Sequence, residues 1–226
     1  MLSDYRVDEI DLRLSIMGAR PLDVMLIGGT GTGKSTTLNA ILQSETAKVG
    51  HSFAPETMSV KDYMLNDIFR LWDTPGLGDG LYDKSHAGKI SELLHSTYNL
   101  NGKGIYGLID LVLVVVDGST RDLGTVYNLF ADVLLPNIQS NRILTVINQC
   151  DTAMSGRHWN FLRNEPDSTL LDFLNTQAES IRRRIHETTG TNIILPVYYS
   201  AEYGYNIKRV LDLIIDNIPI ERRNLI

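Results

Sequence analysis

The stretch that most constrains this chain is Gly28-Gly29-Thr30-Gly31-Thr32-Gly33-Lys34-Ser35. It follows a short apolar run, Asp23 to Ile27, and precedes a helical stripe marked by Leu38, Ile41 and Leu42. The stretch matches G-x-x-x-x-G-K-[ST] in the strand–turn–helix setting that the pattern requires. A glycine-rich turn carrying a solvated lysine would not need those flanks. Glycines let the backbone curl so that several N–H groups point inward at phosphates. The N-terminus of the following helix adds its positive end. Lys34 is expected at the β- and γ-phosphates, and the Ser35 hydroxyl on magnesium. The expected phosphate site is therefore Gly28, Gly29, Thr30, Gly31, Thr32, Gly33, Lys34, Ser35 and the adjoining Thr36.

The rest of the chain alternates strands and helices. Residues 3–17 carry Val7, Ile10, Leu14 and Met17 at helical spacing, ended by Gly18 and Pro21. Met58 to Met64 and Ile68 to Asp73 read as strands joined by Leu65-Asn66-Asp67, a link that permits only antiparallel pairing. Leu111 to Val116 and Ile143 to Ile147 are continuous apolar runs, expected of strands buried on both faces. Ile193 to Tyr198 is the last expected strand, and its Pro196 favours a sheet edge. Helical stripes run over Leu123–Leu134, Leu170–Ile185 and Ile207–Ile218. Such alternation predicts an α/β fold, a three-layer sandwich of the P-loop NTPase kind. Its six-stranded sheet is expected to be mostly parallel, with one antiparallel strand. Residues 1–19 are expected to form an amphipathic N-terminal helix, and 20–226 one nucleotide-binding domain.

Bulk properties narrow the partners. A formal net charge of −6 argues against nucleic acid as the main partner. A single cysteine, Cys150, excludes an internal disulfide framework and fits a cytoplasmic location. The opening MLSDYRVDEIDL is broken by charges, unlike a signal peptide, and no apolar run is long enough to span a bilayer. The first helix carries Asp4, Arg6, Asp8, Glu9, Asp11 and Arg13, a mixed, net acidic set that disfavours anionic membranes. Docking on the chain's own core is the expected role of its apolar stripe, with pairing to a second chain as the alternative.

The base is chosen by Asn148-Gln149-Cys150-Asp151, directly after the run ILTVI. A carboxylate at Asp151 can accept hydrogen bonds from guanine N1 and its amino group. Adenine would leave it unpaired, and a site built on such bonds rejects the wrong ligand strongly. Cys150 reads as a small packing residue beside the base.

With these motifs the chain resembles the Era-like, 50S-ribosome-binding GTPases of the translation-factor-related class. Gly156-Arg157-His158-Trp159 and the run Tyr198 to Asn206 make it similar in particular to small bacterial prophage-associated members. The likeness spans residues 20–218. It implies GTP and GDP as ligands, magnesium as cofactor, and hydrolysis of GTP to GDP and phosphate. By this resemblance, Asp73-Thr74-Pro75-Gly76 is the D-x-x-G motif, in which Asp73 holds a magnesium water and the Gly76 N–H senses the γ-phosphate. Thr57 corresponds to the switch threonine over magnesium, with Thr46 in the same loop as the alternative. Lys34, Thr57 and Gly76 are thus the expected catalytic residues, and Ser35, Thr57 and Asp73 the expected metal set. Ser200-Ala201 resembles the S-A-K motif behind the base, with Glu202 in place of lysine, and Asn148 braces the loops. Ribosome or RNA binding enters by resemblance alone, since no counterpart of Era's RNA-binding domain is expected after the last helix. A homodimer or an effector protein is the other partner class.

The chain departs from its family at three positions. Gln149 replaces the lysine of N-K-x-D, which is expected to weaken guanine affinity. Gly31 stands where potassium-activated relatives carry asparagine. Leu77 follows Gly76 where Ras-like proteins place the glutamine that orients water, and leucine has no hydrogen bond to offer. Asp79 and the 45–57 loop are the candidates for that role. Two readings stay open: a GTPase switch with slow intrinsic turnover, and a nucleotide-dependent assembly module with little hydrolysis.

Overall fold

The computed structural model describes residues 2–18, 21–43, 61–74, 84–99, 104–119 and 124–225. Its centre is a six-stranded sheet, built from β1 (Leu22–Ile27), β2 (Lys61–Asn66), β3 (Phe69–Asp73), β6 (Leu111–Asp117), β7 (Ile143–Asn148) and β10 (Val197–Tyr198). The order across the sheet is β10-β7-β6-β1-β3-β2. All neighbours are parallel except β2 with β3.

The period of two along each strand creates the layers. In β1, Val24 and Leu26 enter one core, and Met25 and Ile27 the other. In β6, Leu111, Leu113 and Val115 join the first, and Val112, Val114 and Val116 the second. The first core is covered by α1 (Val7–Met17), α2 (Lys34–Leu42) and α6 (Ile207–Asp216). The second is covered by α3 (Lys84–His95), α4 (Gly124–Asn128) with its π-helical continuation Leu129–Leu134, and α5 (Ser168–Thr189). The central strands β1, β6 and β7 are mostly apolar because both faces are covered, and the expected α/β sandwich is the fold observed.

α5 shows how its bounds arise. The Asp167 side chain caps the first turn by accepting from the Leu170 N–H at 3.0 Å. Gly190, at φ 71°, closes the last turn on the His186 carbonyl at 2.8 Å. Leu170, Leu174, Ala178, Ile181 and Ile185 make its buried stripe.

Several elements differ from the sequence expectation. The helix expected over 3–17 is divided: Leu2–Asp4 form a 3-10 turn, and α1 starts at Val7. Arg6 at the break has φ 51°, outside helical space, and its guanidinium is held by Asp212 at 2.7 Å and Asp216 at 2.6 Å. α1 thereby docks on α6, with Ile10 and Leu14 buried in the first core. The β2–β3 turn is Asp67-Ile68 rather than Leu65-Asn66-Asp67, because Asn66 Oδ1 accepts the Ile68 N–H at 3.0 Å. Residues 58–60 of the expected strand lie outside the described residues. The expected strand Ile193–Tyr198 shrinks to Val197–Tyr198, since Pro196 cannot donate to a ladder. The Leu123–Leu134 stripe is α-helical only to Asn128; beyond it the Leu135 N–H bonds to the Phe130 carbonyl, five residues back, at 3.0 Å.

α3 and two hairpins were not expected: β4 (Thr97–Asn99) with β5 (Ile105–Gly107), and β8 (Trp159–Asn160) with β9 (Glu165–Pro166). At the amino ends of the strands lies a buried charged layer. Arg70 grips Asp23 through Nε at 2.6 Å and a second nitrogen at 3.1 Å. Arg223 donates to the carbonyls of Ile109, at 2.7 Å, and Leu94, which threads the last segment under the sheet.

Candidate functional site

The motifs converge at the carboxyl ends of the strands, where ligands bind in open α/β sheets. Gly28 follows β1, Asp73 ends β3, Asn148 ends β7, and Ser200 lies just beyond β10. The loop after β1 turns through Gly31 and Gly33, at φ 81° and 82°, before α2 begins at Lys34. A side chain at Gly33 would in addition run into the Asn148 amide. Glycine is thus required there by conformation and by contact.

Within the loop, Gly28, Thr32 and Lys34 are buried, while Thr30, Gly31, Ser35 and Thr36 are exposed. Thr32 Oγ1 donates to the Gly29 carbonyl at 3.1 Å. Lys34 is 7% exposed, and its Nζ rests on the carbonyls of Gly28 at 3.0 Å and Gly29 at 2.9 Å. Burial pushes its pKa down, and the nearby Asp73 carboxylate pulls it back up.

Ser35 Oγ donates to Asp73 Oδ2 at 3.3 Å, which joins the start of α2 to the end of β3. Asp73 Oδ1 is buried and has no hydrogen-bond partner. Burial pushes the Asp73 carboxyl up, opposed by Lys34 and by the Ser35 hydrogen bond. A hydroxyl beside a half-satisfied carboxylate is a donor set that suits magnesium, which keeps waters and takes its remaining oxygens from phosphate. Thr74 anchors the same end of β3 by donating to the Leu26 carbonyl at 2.7 Å.

On the base side, Asn148 ties three segments together. Its Nδ2 donates to the Thr32 carbonyl at 2.9 Å, its Oδ1 accepts the Ala201 N–H at 3.0 Å, and its carbonyl accepts the Gly118 N–H at 2.7 Å. Gln149, at φ 59°, donates its Nε2 to the Gly31 carbonyl at 2.7 Å. A neutral amide thus joins the base loop to the phosphate loop at this position. Asp151 is 7% exposed, and its Oδ1 is buried without a partner. A carboxylate oxygen in that state is costly until a donor reaches it. Ser200 is fully buried and Ala201 nearly so, whereas Glu202 is exposed. Burial raises the Cys150 thiol to about 12, which makes it inert packing beside the base loop.

The structure thus brings together Gly28 to Thr36, Asp73, Asn148, Gln149, Asp151, Ser200 and Ala201. Thr46, Thr57, Gly76, Leu77 and Asp79 lie outside the described residues. Sequence reasoning passed over Thr37 and Tyr199, which join the two halves of the site from below. The signal was present in Thr37, a polar residue on the buried face of α2. The hairpin β8–β9 flanks the base loop: Trp159 packs against Tyr203 and Tyr205, with ring centroids at 5.7 and 5.4 Å. The Gly156–Trp159 and Tyr198–Asn206 stretches are therefore one spatial unit.

Residues 23–149 match the family model described as 50S ribosome-binding GTPase. A tRNA modification GTPase, MnmE of Chlorobium chlorochromatii, is 31% identical over 133 residues, which cover 56% of this chain and 25% of that protein. The chain thus spans a quarter of the length of that curated relative. Among solved structures, Toc33 of Arabidopsis thaliana with GDP and Mg2+ superposes with a TM-score of 0.67 at 16% identity, covering 99% of this chain and 94% of that one. Aquifex aeolicus Era bound to GDP and AlF4− gives 0.52 at 17% identity, over 89% of this chain and 58% of that one.

Proposed function

The chain belongs to the 50S ribosome-binding GTPase family, and from that premise we propose that it is a magnesium-dependent GTP hydrolase acting as a nucleotide-controlled switch. The observation that carries this reading is the buried, unpartnered Asp151 Oδ1 at the end of the Asn148–Asp151 loop. Guanine brings the two donors that such a carboxylate lacks, and adenine does not. Asn148 and Gln149 hold that loop against the phosphate loop, Ser200 and Ala201 back the base, and Glu202 stands at the rim.

At the other end, the N–H groups of Gly28 to Ser35 receive phosphate oxygens and Lys34 leaves its carbonyls to meet the β- and γ-phosphates. Ser35 and Asp73 hold magnesium, with Thr57 as the switch threonine; the ion, when bound, neutralises charge that develops on the phosphates. The Gly76 N–H reads the γ-phosphate. The loops at 44–57 and 76–84 order around that phosphate and relax after its release.

Intrinsic turnover is slow in this reading, since neither Leu77 nor Gly31 supplies the group that relatives use to position water or potassium. A second chain or an effector protein supplies what is missing. Residues 20–226 form the G domain, and the helix within 1–19 is a peripheral addition docked on it. The finer likeness is to small bacterial prophage-associated GTPases, working in the cytoplasm. Among the described residues no helix is long and apolar enough to cross a membrane.

Calorimetry with GDP, GTP and ATP, followed by single-turnover phosphate release over a range of protein concentrations, tests the proposal. Preference for guanine nucleotides and a rate that rises more steeply than concentration are expected. Equal ATP and GTP affinity would overturn the base reading. A rate of several per second at nanomolar protein, independent of concentration and of potassium, would overturn slow turnover. Binding without hydrolysis at any concentration would select the assembly module instead.

A further inference from the structure

Tyr199 immediately precedes Ser200 and packs beside the Asn148–Asp151 loop, yet its side chain points to the phosphate loop. The residue is 0% exposed, within the core shared by α2 and α6. Its backbone clasps the base-recognition loop from both sides. The Tyr199 N–H donates to the Ile147 carbonyl at 2.8 Å, and its carbonyl accepts the Cys150 N–H at 3.2 Å. Its hydroxyl lies 2.6 Å from Thr37 Oγ1.

The direction of that bond follows from counting protons. Thr37 Oγ1 has one, which it donates to the Gly33 carbonyl at 2.8 Å. Tyr199 is therefore the donor, and the chain runs Tyr199 O–H to Thr37 O–H to Gly33 C=O. Gly33 immediately precedes Lys34, so this buried relay ends at the turn that aims the phosphate-binding N–H groups. Asn148 and Gln149 join the same two loops through Thr32 and Gly31. The Tyr199 relay is a separate fastening that uses no atom of either.

We propose that Tyr199 is a positioning residue for nucleotide binding: through Thr37 it fixes the Gly33 turn in register with the loop that reads the base, so that the phosphate and guanine ends bind as one unit. The inference rests on the GTP-binding reading above. A bond that merely satisfied a buried phenol would contribute to stability and leave nucleotide affinity alone.

The test is a double-mutant cycle on release of N-methylanthraniloyl-GDP, with thermal melts of the nucleotide-free proteins alongside. Tyr199→Phe and Thr37→Val each remove one hydroxyl and little volume. Each is expected to speed release about three- to tenfold, the scale of one net hydrogen bond. The double variant is expected to release no faster than the quicker single variant, because one chain has already been cut. Thr37→Ser keeps the hydroxyl and is expected to restore slow release. Unchanged release in Tyr199→Phe, with only the melting temperature lowered, would overturn the proposal, as would additive effects in the double variant. If Tyr199→Phe does not fold, Thr37→Val against Thr37→Ser makes the same decision. Failure of the wild-type chain to bind the labelled GDP at all would count against the GTP-binding reading, not the relay.

Discussion

Gln149 reaches from the base loop to the phosphate loop and donates its Nε2 to the Gly31 carbonyl at 2.7 Å. The two residues are 118 positions apart in the chain, and the bond holds the two halves of the site at a fixed separation. A lysine there would add a charge; glutamine keeps the geometry without it. Gln149→Ala should therefore speed GDP release by about three- to tenfold, the scale of one hydrogen bond. Gln149→Lys should slow it below the wild-type rate. Stopped-flow displacement of labelled GDP measures both, and an unchanged rate in Gln149→Ala would mean that the link does not hold the site.

Asp151→Asn exchanges a double acceptor for a group that also donates. Guanine then meets an N–H at one of its own donors, whereas the 2-oxygen of xanthine accepts it. Affinity for GDP should fall at least about tenfold and affinity for XDP should rise, since an unpaired polar group in a buried site is costly. Competitive binding of the two nucleotides checks this, and retained GDP preference would place base recognition elsewhere.

Lys34→Ala and Ser35→Ala should separate phosphate from metal. Lys34 is buried with its ammonium on two loop carbonyls, and Ser35 is exposed beside Asp73. Lys34→Ala should weaken GTP binding with and without magnesium. Ser35→Ala should abolish most of the gain that magnesium gives. Both should leave the melting midpoint of the nucleotide-free chain within a few degrees of wild type. Titration of GTP at varied magnesium reads the difference, and wild-type binding in both variants would remove the phosphate-loop reading.

The charged layer beneath the sheet should make stability fall with rising pH. Asp110 accepts the Asp23 N–H at 3.0 Å, and burial pushes its carboxyl up to about 7; that hydrogen bond, Arg142 and Arg223 oppose the rise, and the Asp23 charge adds to it. In the unfolded chain the same group titrates near ~3.9. A raised folded pKa gives stability that is whole below the unfolded value and lost as pH climbs through the folded one. Burial lowers Arg223 only to about 10, so it stays charged throughout that window. Between about pH 5 and 8 the wild type should lose about 1–3 kcal/mol relative to Asp110→Asn. Urea melts at each pH measure the two slopes, and equal slopes would mean that the two arginines keep Asp110 ionised.

The sequence by itself determined the elements whose cause is local. The glycines and Lys34 announce the phosphate loop because positive φ and an adjoining helix start are properties of contiguous residues. Leu111–Val116 and Ile143–Ile147 announce buried strands because a double-sided burial leaves an unbroken apolar run. The Asn148–Asp151 stretch stands out as the candidate base site because it directly follows the run Ile143–Ile147. Where local signals are weak, the reading failed: the strands of the two small hairpins are only two or three residues long, and Arg6 breaks the first helix through contacts with Asp212 and Asp216 near the other end of the chain. α3 was legible but passed over, since Ala87, Ile90, Leu93 and Leu94 recur at helical spacing. Only the tertiary structure decided which loops touch. Tyr199 meets Thr37 across 162 positions, and Arg223 meets Ile109 across 114. Those pairings depend on the order of strands in the sheet, and strand order is set by packing of both cores at once, which no stretch of neighbouring residues encodes.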